Sequence, residues 1–186
     1  MRAPLSSPAS HDPILILPGR GDSEAAHWQS RWQATLRNAH RVQQTDWQRP
    51  TRLHWQTALE AAVAGYGPDC VLVAHSLGCL VTVHWAAETR LTARAALLVG
   101  VPNPDRPSFP PEISGFSPLP MRPLPFPSIV VASSDDPYGS LEFARACAVA
   151  WGSRFVNVGA AGHINAASGY GEWPEGLRLL AQLTGG

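Results

Sequence analysis

Charge is sparse in this sequence, and neither sign dominates. Among its 186 residues, 14 Lys and Arg residues balance 14 Asp and Glu residues, and charged residues make up 15% of the chain. No basic block stands out, which argues against a nucleic-acid-binding protein. No apolar stretch approaches the roughly 18 residues of a membrane span, which argues against a membrane protein. Residues 1–13 lack the apolar core of a secretory signal, and we predict that they form a flexible tail.

Cysteine is also scarce. The three cysteines, Cys70, Cys79 and Cys147, each fall inside an apolar segment, and neither C-x-x-C nor H-x-x-x-H occurs. Their odd number and irregular spacing fit neither a disulfide framework nor a metal site. We therefore predict reduced core thiols in a cytoplasmic protein, with no metal and no organic cofactor.

Short apolar runs alternate with helical patterns along the chain. Continuous runs such as residues 14–17 are typical of buried parallel strands. We predict strands at 14–17, 41–46, 70–74, 95–101, 128–133 and 154–158, and helices at 25–38, 51–64, 77–88, 140–151 and 173–183. This alternation predicts one α/β domain over residues 14–186, with a mostly parallel sheet of about six strands and helices on both faces.

Ser76 lies between a predicted strand and a predicted helix. Ala74 and Gly78 flank it two residues away on either side, which is the small-x-Ser-x-small pattern of a nucleophile elbow. Bulky side chains at those positions would collide with neighbouring elements, because the serine projects from a strained turn. The following helix N-terminus favours a developing negative charge. A serine that merely caps the helix fits the motif equally well, so the rest of the chain must decide.

Four loops meet at one edge of the predicted sheet, since functional residues gather at the carboxyl ends of parallel strands. These loops contain Gly19 and Arg20, Ser76, Asp135 and Asp136, and His163. The chain order Ser, Asp, His is the order expected for a hydrolase elbow in an α/β sheet. We predict that Ser76 is a nucleophile and that His163 accepts its proton, because a serine hydroxyl is a weak nucleophile by itself.

Residues 18–23 form a glycine-rich turn after the first strand. It completes neither G-x-G-x-x-G nor a phosphate-binding G-K-S/T ending. A loop that offers a backbone N–H to an oxyanion needs only glycines that let the chain approach. We predict that the N–H groups of Arg20 and Leu77 form an oxyanion hole.

Asp135 and Asp136 are adjacent candidates for the acid that orients His163. Asp136 precedes Pro137, where the backbone is held extended, whereas Asp135 could cap the loop or the next helix. We choose Asp136. Of the other histidines, His27 begins the helix after the glycine-rich turn and could border the site.

Residues 102–127 contain ten prolines, interleaved with apolar side chains. Such a segment cannot be a regular helix or a central strand. Its P-x-x-P matches fit a polyproline ligand, but we favour a rigid loop over the site whose apolar side chains wall a pocket. The predicted substrate-pocket residues are Gly19, Trp28, Phe109 and Phe116.

Five segments together resemble the α/β-hydrolase superfamily, and more narrowly its small serine-hydrolase branch typified by YdeN and retinoblastoma-binding protein nine. They are Leu17-Pro18-Gly19, His27-Trp28-Gln29, Ala74-His75-Ser76-Leu77-Gly78, Asp135-Asp136-Pro137-Tyr138 and Gly162-His163. The resemblance implies Ser76, Asp136 and His163 as the catalytic triad and a fold without a separate cap domain. The chain departs from many superfamily members at Pro18, where they have histidine, and at Ala74, where they have glycine.

We therefore expect a serine hydrolase that cleaves a small ester through an acyl-enzyme, with an amide or thioester as further substrate types. The expected partner is a small-molecule ester, with no nucleic acid and no membrane. The alternative is a hydrolase-fold protein whose main role is to bind a protein partner, because some members of this branch are discussed as protein-binding factors. A nucleotide-binding loop ranks third, since Gly19-Arg20-Gly21 lacks the lysine that such a loop needs.

Overall fold

Six parallel strands form one sheet at the centre of the protein. The computed structural model describes residues 12–185. The strand order is β2-β1-β3-β4-β5-β6, and every neighbouring pair runs parallel. The strands are β1 (Ile14–Leu17), β2 (Ala39–Arg41), β3 (Val71–His75), β4 (Ala95–Val99), β5 (Ser128–Ala132) and β6 (Arg154–Asn157).

Five α-helices cover the two faces of this sheet. They are α1 (Trp28–Thr35), α2 (Arg52–Tyr66), α3 (Leu77–Glu88), α4 (Leu141–Trp151) and α5 (Pro174–Thr184). Because side chains alternate along a strand, Leu15 and Leu72 point into one core, which α2, α3 and α4 cover. Ile16 and Val71 point into the other core, which α1 and α5 cover. The predicted fold class is confirmed: residues 12–185 form one parallel sheet with helices on both faces and include no separate cap domain.

The direction of strand addition reverses at β1. The chain passes from β1 outward to β2 and then returns to the other side of β1 to form β3. The loops after β1 and β3 therefore separate at the carboxyl edge and leave a crevice between them, where ligands bind in open α/β sheets.

The predicted position of the second strand was wrong. It was expected at 41–46 and is β2 at Ala39–Arg41, an edge strand that pairs with β1. The Val42 N–H, one residue beyond the strand, donates to the Ile16 carbonyl at 2.9 Å. Two residues of the predicted tail contact the domain, since Asp12 pairs with Arg94 at 2.5 Å and the Pro13 carbonyl accepts from the Val71 N–H. The rest of that predicted tail, residues 1–11, lies outside the described residues.

The proline-rich segment 102–127 contains no helix and no named strand, as predicted. Several hydrogen bonds hold it against the domain. The Trp151 indole donates to the Pro120 carbonyl at 2.8 Å, and the His84 ring donates from Nε2 to the Phe116 carbonyl at 3.0 Å. The segment is thus an anchored wall of the domain.

Cys70, Cys79 and Cys147 are all buried and unpaired. Burial raises the pKa of Cys70 to about 11 and that of Cys147 to about 12, so both thiols stay protonated at neutral pH. Within residues 12–185, no helix combines the length and apolar character needed to cross a membrane.

Candidate active site

Ser76 occupies a sharp turn between β3 and α3. Its backbone angles, φ 54° and ψ −123°, fall in a region that side-chain-bearing residues rarely adopt. The turn is held on both sides: the Ser76 N–H donates to the Val99 carbonyl, and the Ser76 carbonyl accepts from Cys79, both at 2.9 Å. The serine hydroxyl is thereby fixed at the N-terminus of a buried helix.

Two glycines allow the elbow to pack closely. A Cβ on Gly78 would lie 2.3 Å from the Leu17 carbonyl oxygen, so only glycine lets α3 approach the end of β1. A Cβ on Gly19 would lie 2.8 Å from the Ser76 Cβ and 3.2 Å from its Oγ. The glycine-rich turn therefore passes directly against the serine side chain.

Ser76, His163 and Asp136 form one hydrogen-bonded chain. The Ser76 Oγ lies 2.8 Å from His163 Nε2. The other ring nitrogen, Nδ1, lies 3.0 Å and 2.9 Å from the two carboxylate oxygens of Asp136. Since a carboxylate accepts, Nδ1 carries the proton and Nε2 is free to accept the serine proton. The side chains of His163 and Asp136 are 8% and 3% exposed, so water scarcely competes for these contacts.

Asp135 has a different position from its neighbour. Its Oδ1 accepts from the Ser133 hydroxyl at 2.6 Å and from the Gly162 N–H at 2.8 Å. These bonds lower the pKa of Asp135, the Ser133 bond contributing most. Asp135 therefore ties the loop that carries His163 to the end of β5.

The His75 ring lies next to the rings of His163 and His27. The ring centroids of His75 and His163 are 4.8 Å apart, and those of His75 and His27 are 4.7 Å apart. The His75 Nε2–H donates to the His163 carbonyl at 2.8 Å, so this ring supports the loop and does not contact the hydroxyl. Burial, more than the neighbouring charges, holds the pKa of His75 well below its usual range. Both rings are therefore neutral at pH 7.

Arg20 directly follows Gly19 and Leu77 directly follows Ser76, and both residues line the cleft beside Ser76. Neither backbone N–H donates a hydrogen bond to another described residue. Leu77 is the first residue of α3, a position whose N–H has no partner inside the helix. Both donors are thus available to a ligand.

A cleft of about 350 Å³ opens over Ser76 and His163. Of the predicted pocket residues, Gly19 and Phe109 line it, together with Ile113, Pro110 and Tyr138 from the neighbouring loops. His27 also borders the cleft.

Trp28 and Phe116 lie outside the cleft, so their assignment to the pocket was wrong. Trp28 is fully buried in the core beneath the site, where its indole donates to the Ile164 carbonyl at 2.9 Å. Phe116 is buried against the His84 ring. The sequence shows that Trp28 follows the glycine-rich turn and that Phe116 belongs to the proline-rich segment, but their burial in the core depends on the three-dimensional packing.

The sequence analysis assigned no role to four residues near the site: Gln29, Ser133, Tyr138 and Asn165. Gln29 and Ser133 are buried polar residues that no hydrophobic pattern marks. Tyr138 and Asn165 line the cleft. Tyr138 directly follows Pro137, and Asn165 lies two residues after His163, so their proximity to proposed catalytic residues was the available signal.

The serine hydrolase sequence profile matches residues 14–182, nearly the whole described chain. The chain belongs to the serine hydrolase family. The predicted resemblance is therefore confirmed, and Ser76 is the serine that the fold presents at the elbow position. Among curated proteins, no sequence matches this serine hydrolase significantly.

Solved structures support the same family. A YdeN-like hydrolase from Pectobacterium atrosepticum is 31% identical, with 93% of this chain and 90% of that chain covered and a TM-score of 0.83. The ydeN gene product from B. subtilis is 20% identical over 95% of this chain and all (100%) of that chain, with a TM-score of 0.79. RedJ, a thioesterase from the prodiginine biosynthetic pathway in Streptomyces coelicolor, is 17% identical over 98% and 91%, with a TM-score of 0.70. The last two similarities show the fold.

Among residues 12–185, no three His, Cys, Asp or Glu side chains are grouped so that they could hold a metal ion.

Proposed function

We propose that this serine hydrolase cleaves small esters through an acyl-enzyme, with Ser76 as nucleophile, His163 as base and Asp136 as the acid that orients it. The observation that carries the proposal is the unbroken hydrogen-bonded chain from the Ser76 Oγ through His163 to the Asp136 carboxylate. It supplies the nucleophile, base and orienting acid that acyl transfer by serine requires.

Acylation begins when the Ser76 Oγ attacks the ester carbonyl carbon. His163 Nε2 takes the hydroxyl proton, and the carbonyl π electrons move to the oxygen. Asp136 stabilises the resulting imidazolium through Nδ1. When the tetrahedral intermediate collapses, the carbon–oxygen bond to the leaving group breaks and the leaving alkoxide takes the proton from Nε2.

Deacylation repeats these steps with water as the nucleophile. His163 takes a proton from water as its oxygen attacks the acyl carbon, and the Ser76 Oγ leaves with that proton. The products are the carboxylic acid and the free enzyme. In both halves the oxyanion would accept from the N–H groups of Arg20 and Leu77; losing one such donor costs roughly 3–4 kcal/mol of transition-state stabilisation in related enzymes.

The cleft supports a small substrate. Its volume of about 350 Å³ is near the lower end of ligand pockets. Phe109, Pro110 and Ile113 from the proline-rich segment give it an apolar wall. Because that segment is anchored, the wall would limit the length of the acyl chain. We therefore propose that the substrates carry short acyl groups. A thioester with a short acyl chain would meet the same wall.

We also propose a reducing compartment such as the cytoplasm, because three buried thiols remain unpaired.

The test is labelling with a fluorophosphonate probe, comparing the wild type with Ser76→Ala and His163→Ala. We expect wild-type labelling at Ser76 that both variants lose, and short-chain p-nitrophenyl esterase activity that falls by about 10⁴-fold or more in each variant. Circular dichroism controls for folding.

A folded wild type that is neither labelled nor active on any short ester or thioester would contradict the proposal. The binding of a protein partner would then be the better account of this fold, and pull-down with the Ser76→Ala variant would be the next measurement.

A further inference from the structure

Gln29 is the second residue of α1 and is fully buried, with 0% of its surface exposed. Its side-chain amide makes three hydrogen bonds. Nε2 donates to the carbonyl oxygens of Leu17 and Val73, both at 3.1 Å, and Oε1 accepts from the Ser23 hydroxyl at 2.8 Å. Since backbone carbonyls can only accept, these contacts fix the orientation of the amide.

Two partners of Gln29 bound the turn that carries Arg20, and the third lies in the strand that leads to Leu77. Leu17 ends β1 and Ser23 ends the glycine-rich turn that carries Arg20, so Gln29 holds this turn at both ends. Val73 lies in β3, three residues before Ser76. One buried amide therefore connects the turn that carries the first N–H to the strand that leads to the second.

The Leu17 carbonyl is restrained from the other side as well. It lies so close to Gly78 that a Cβ there would approach to 2.3 Å. Gln29 thus holds this carbonyl on one side while the backbone of α3 packs on the other. Any movement of the Leu17 carbonyl would change the spacing between the turn at 18–23 and the elbow.

We propose that Gln29 is a positioning residue that sets the distance between the Arg20 and Leu77 N–H groups. The inference rests on the proposed function and goes beyond it. Two donors and one acceptor are needed at a single buried position, and only a primary amide of this length provides them. A displaced donor stabilises the oxyanion less, while the ground-state substrate, bound mainly by the cleft walls, is scarcely affected.

The first test is Gln29→Met, which keeps the approximate volume and removes all three hydrogen bonds. We expect kcat on p-nitrophenyl acetate to fall by about 100-fold, comparable to the loss of one oxyanion donor, with KM nearly unchanged. Affinity for a trifluoromethyl ketone, whose tetrahedral adduct places an oxyanion in the hole, should fall by about the same factor. A reversible ester-analogue inhibitor that forms no adduct should keep its affinity.

Ser23→Ala is the milder variant, because it removes only the bond to Oε1 and leaves both carbonyl bonds intact. We expect a smaller loss of kcat with the same selectivity for the trifluoromethyl ketone. This variant keeps the test decisive if Gln29→Met does not fold. The matched control is Gln56→Met on α2. The Gln56 amide donates to the Glu88 carboxylate at 2.8 Å, and neither residue lines the cleft. This variant should leave kcat and both affinities unchanged.

The outcomes separate the two proposals. An inactive wild type that the fluorophosphonate does not label overturns the proposed function and this inference with it. If the wild type is active, this inference alone is overturned when folded Gln29→Met keeps its kcat and its affinity for the trifluoromethyl ketone. Where Gln29→Met does not fold, the same result for folded Ser23→Ala overturns it. An equal loss of affinity for both inhibitors would also overturn it, because that result indicates general damage to the cleft.

Discussion

At the scale of single residues, two adjacent aspartates have different partners. Asp136 presents both carboxylate oxygens to His163 Nδ1, at 3.0 Å and 2.9 Å. Asp135 directs its Oδ1 to the Ser133 hydroxyl and the Gly162 N–H. One carboxylate therefore contacts the imidazole itself, and the other contacts the loop that carries it.

This difference predicts opposite results for the same conservative change. Asp136→Asn should lower kcat by about 10⁴-fold, because an amide in place of the carboxylate can favour the wrong His163 tautomer and cannot stabilise the imidazolium. Asp135→Asn should have a small effect, since an amide oxygen still accepts both bonds. The measurement is kcat on a short-chain ester for both variants. If Asp136→Asn keeps its activity while Asp135→Asn loses it, the proposed role of Asp136 as the orienting acid is wrong.

At this scale the sequence could predict which of the two aspartates lies against His163. Asp136 was preferred over Asp135 because it precedes Pro137, and the structure brings Asp136 to His163. No role could be predicted for Gln29, because a polar side chain inside a helix gives no sign of whether it is buried. Its role depends on three backbone and side-chain partners that only the fold brings together.

At the scale of elements, two glycines in helices have contrasting surroundings. Gly78 in α3 packs against backbone, and a Cβ there would meet the Leu17 carbonyl oxygen at 2.3 Å and its carbon at 2.9 Å. Gly65 in α2 has no atom within 4 Å of the corresponding position. The same substitution should therefore have opposite effects on the two helices.

We expect Gly78→Ala to destabilise the protein by about 1–3 kcal/mol, because α3 must move away from β1 to accommodate the methyl group. Gly65→Ala should stabilise it by up to about 0.5–1 kcal/mol, since alanine loses less backbone entropy in a helix. Urea unfolding, with the m-value checked for each variant, measures both changes. A neutral Gly78→Ala would mean that β1 and α3 are not in the close contact that the structure shows.

The elements differed in how well the sequence predicted them. The strands β1, β3, β4 and β5 each contain an uninterrupted apolar run of at least four residues, and all of their residues are buried. The predicted position of β2 was wrong because it is an edge strand of three residues, of which only Ala39 is buried. Its location depends on pairing with β1, a tertiary contact that no local pattern records.

At the scale of the whole molecule, three buried histidines couple folding to pH. Burial is the main cause that lowers the pKa of His27, His75 and His84 below their usual range. For His27 the pKa falls to about 4, with smaller contributions from Arg41 and His163. These three histidines therefore bind protons less readily in the folded protein than in the unfolded chain.

The sign of the effect follows from linkage. Above the unfolded pKa of 6.5, His27 is neutral in both states and adds no pH dependence. Between pH 6.5 and about 4, only the unfolded chain binds the proton. For this residue the free energy of unfolding therefore falls by about 1.4 kcal/mol for each unit by which the pH is lowered. Below about pH 4 the folded state binds it too, and the slope from His27 ends after a loss of about 3 kcal/mol.

His27→Asn isolates this contribution. His27 caps α1 by accepting the Gln29 N–H on Nδ1 at 3.1 Å, and asparagine is a good capping residue that does not titrate. When the pH is lowered from 7 to 5, we expect the free energy of unfolding of the wild type to fall by about 2 kcal/mol more than that of the variant. Urea unfolding at both pH values measures it, within a range where most carboxylates remain ionised. The matched control is His54→Asn, since solvent reaches the His54 ring on the surface of α2 in the folded state. A His27→Asn difference that stays constant from pH 7 to pH 5 would show that the folded protein admits a proton at His27, which its burial in the structure opposes.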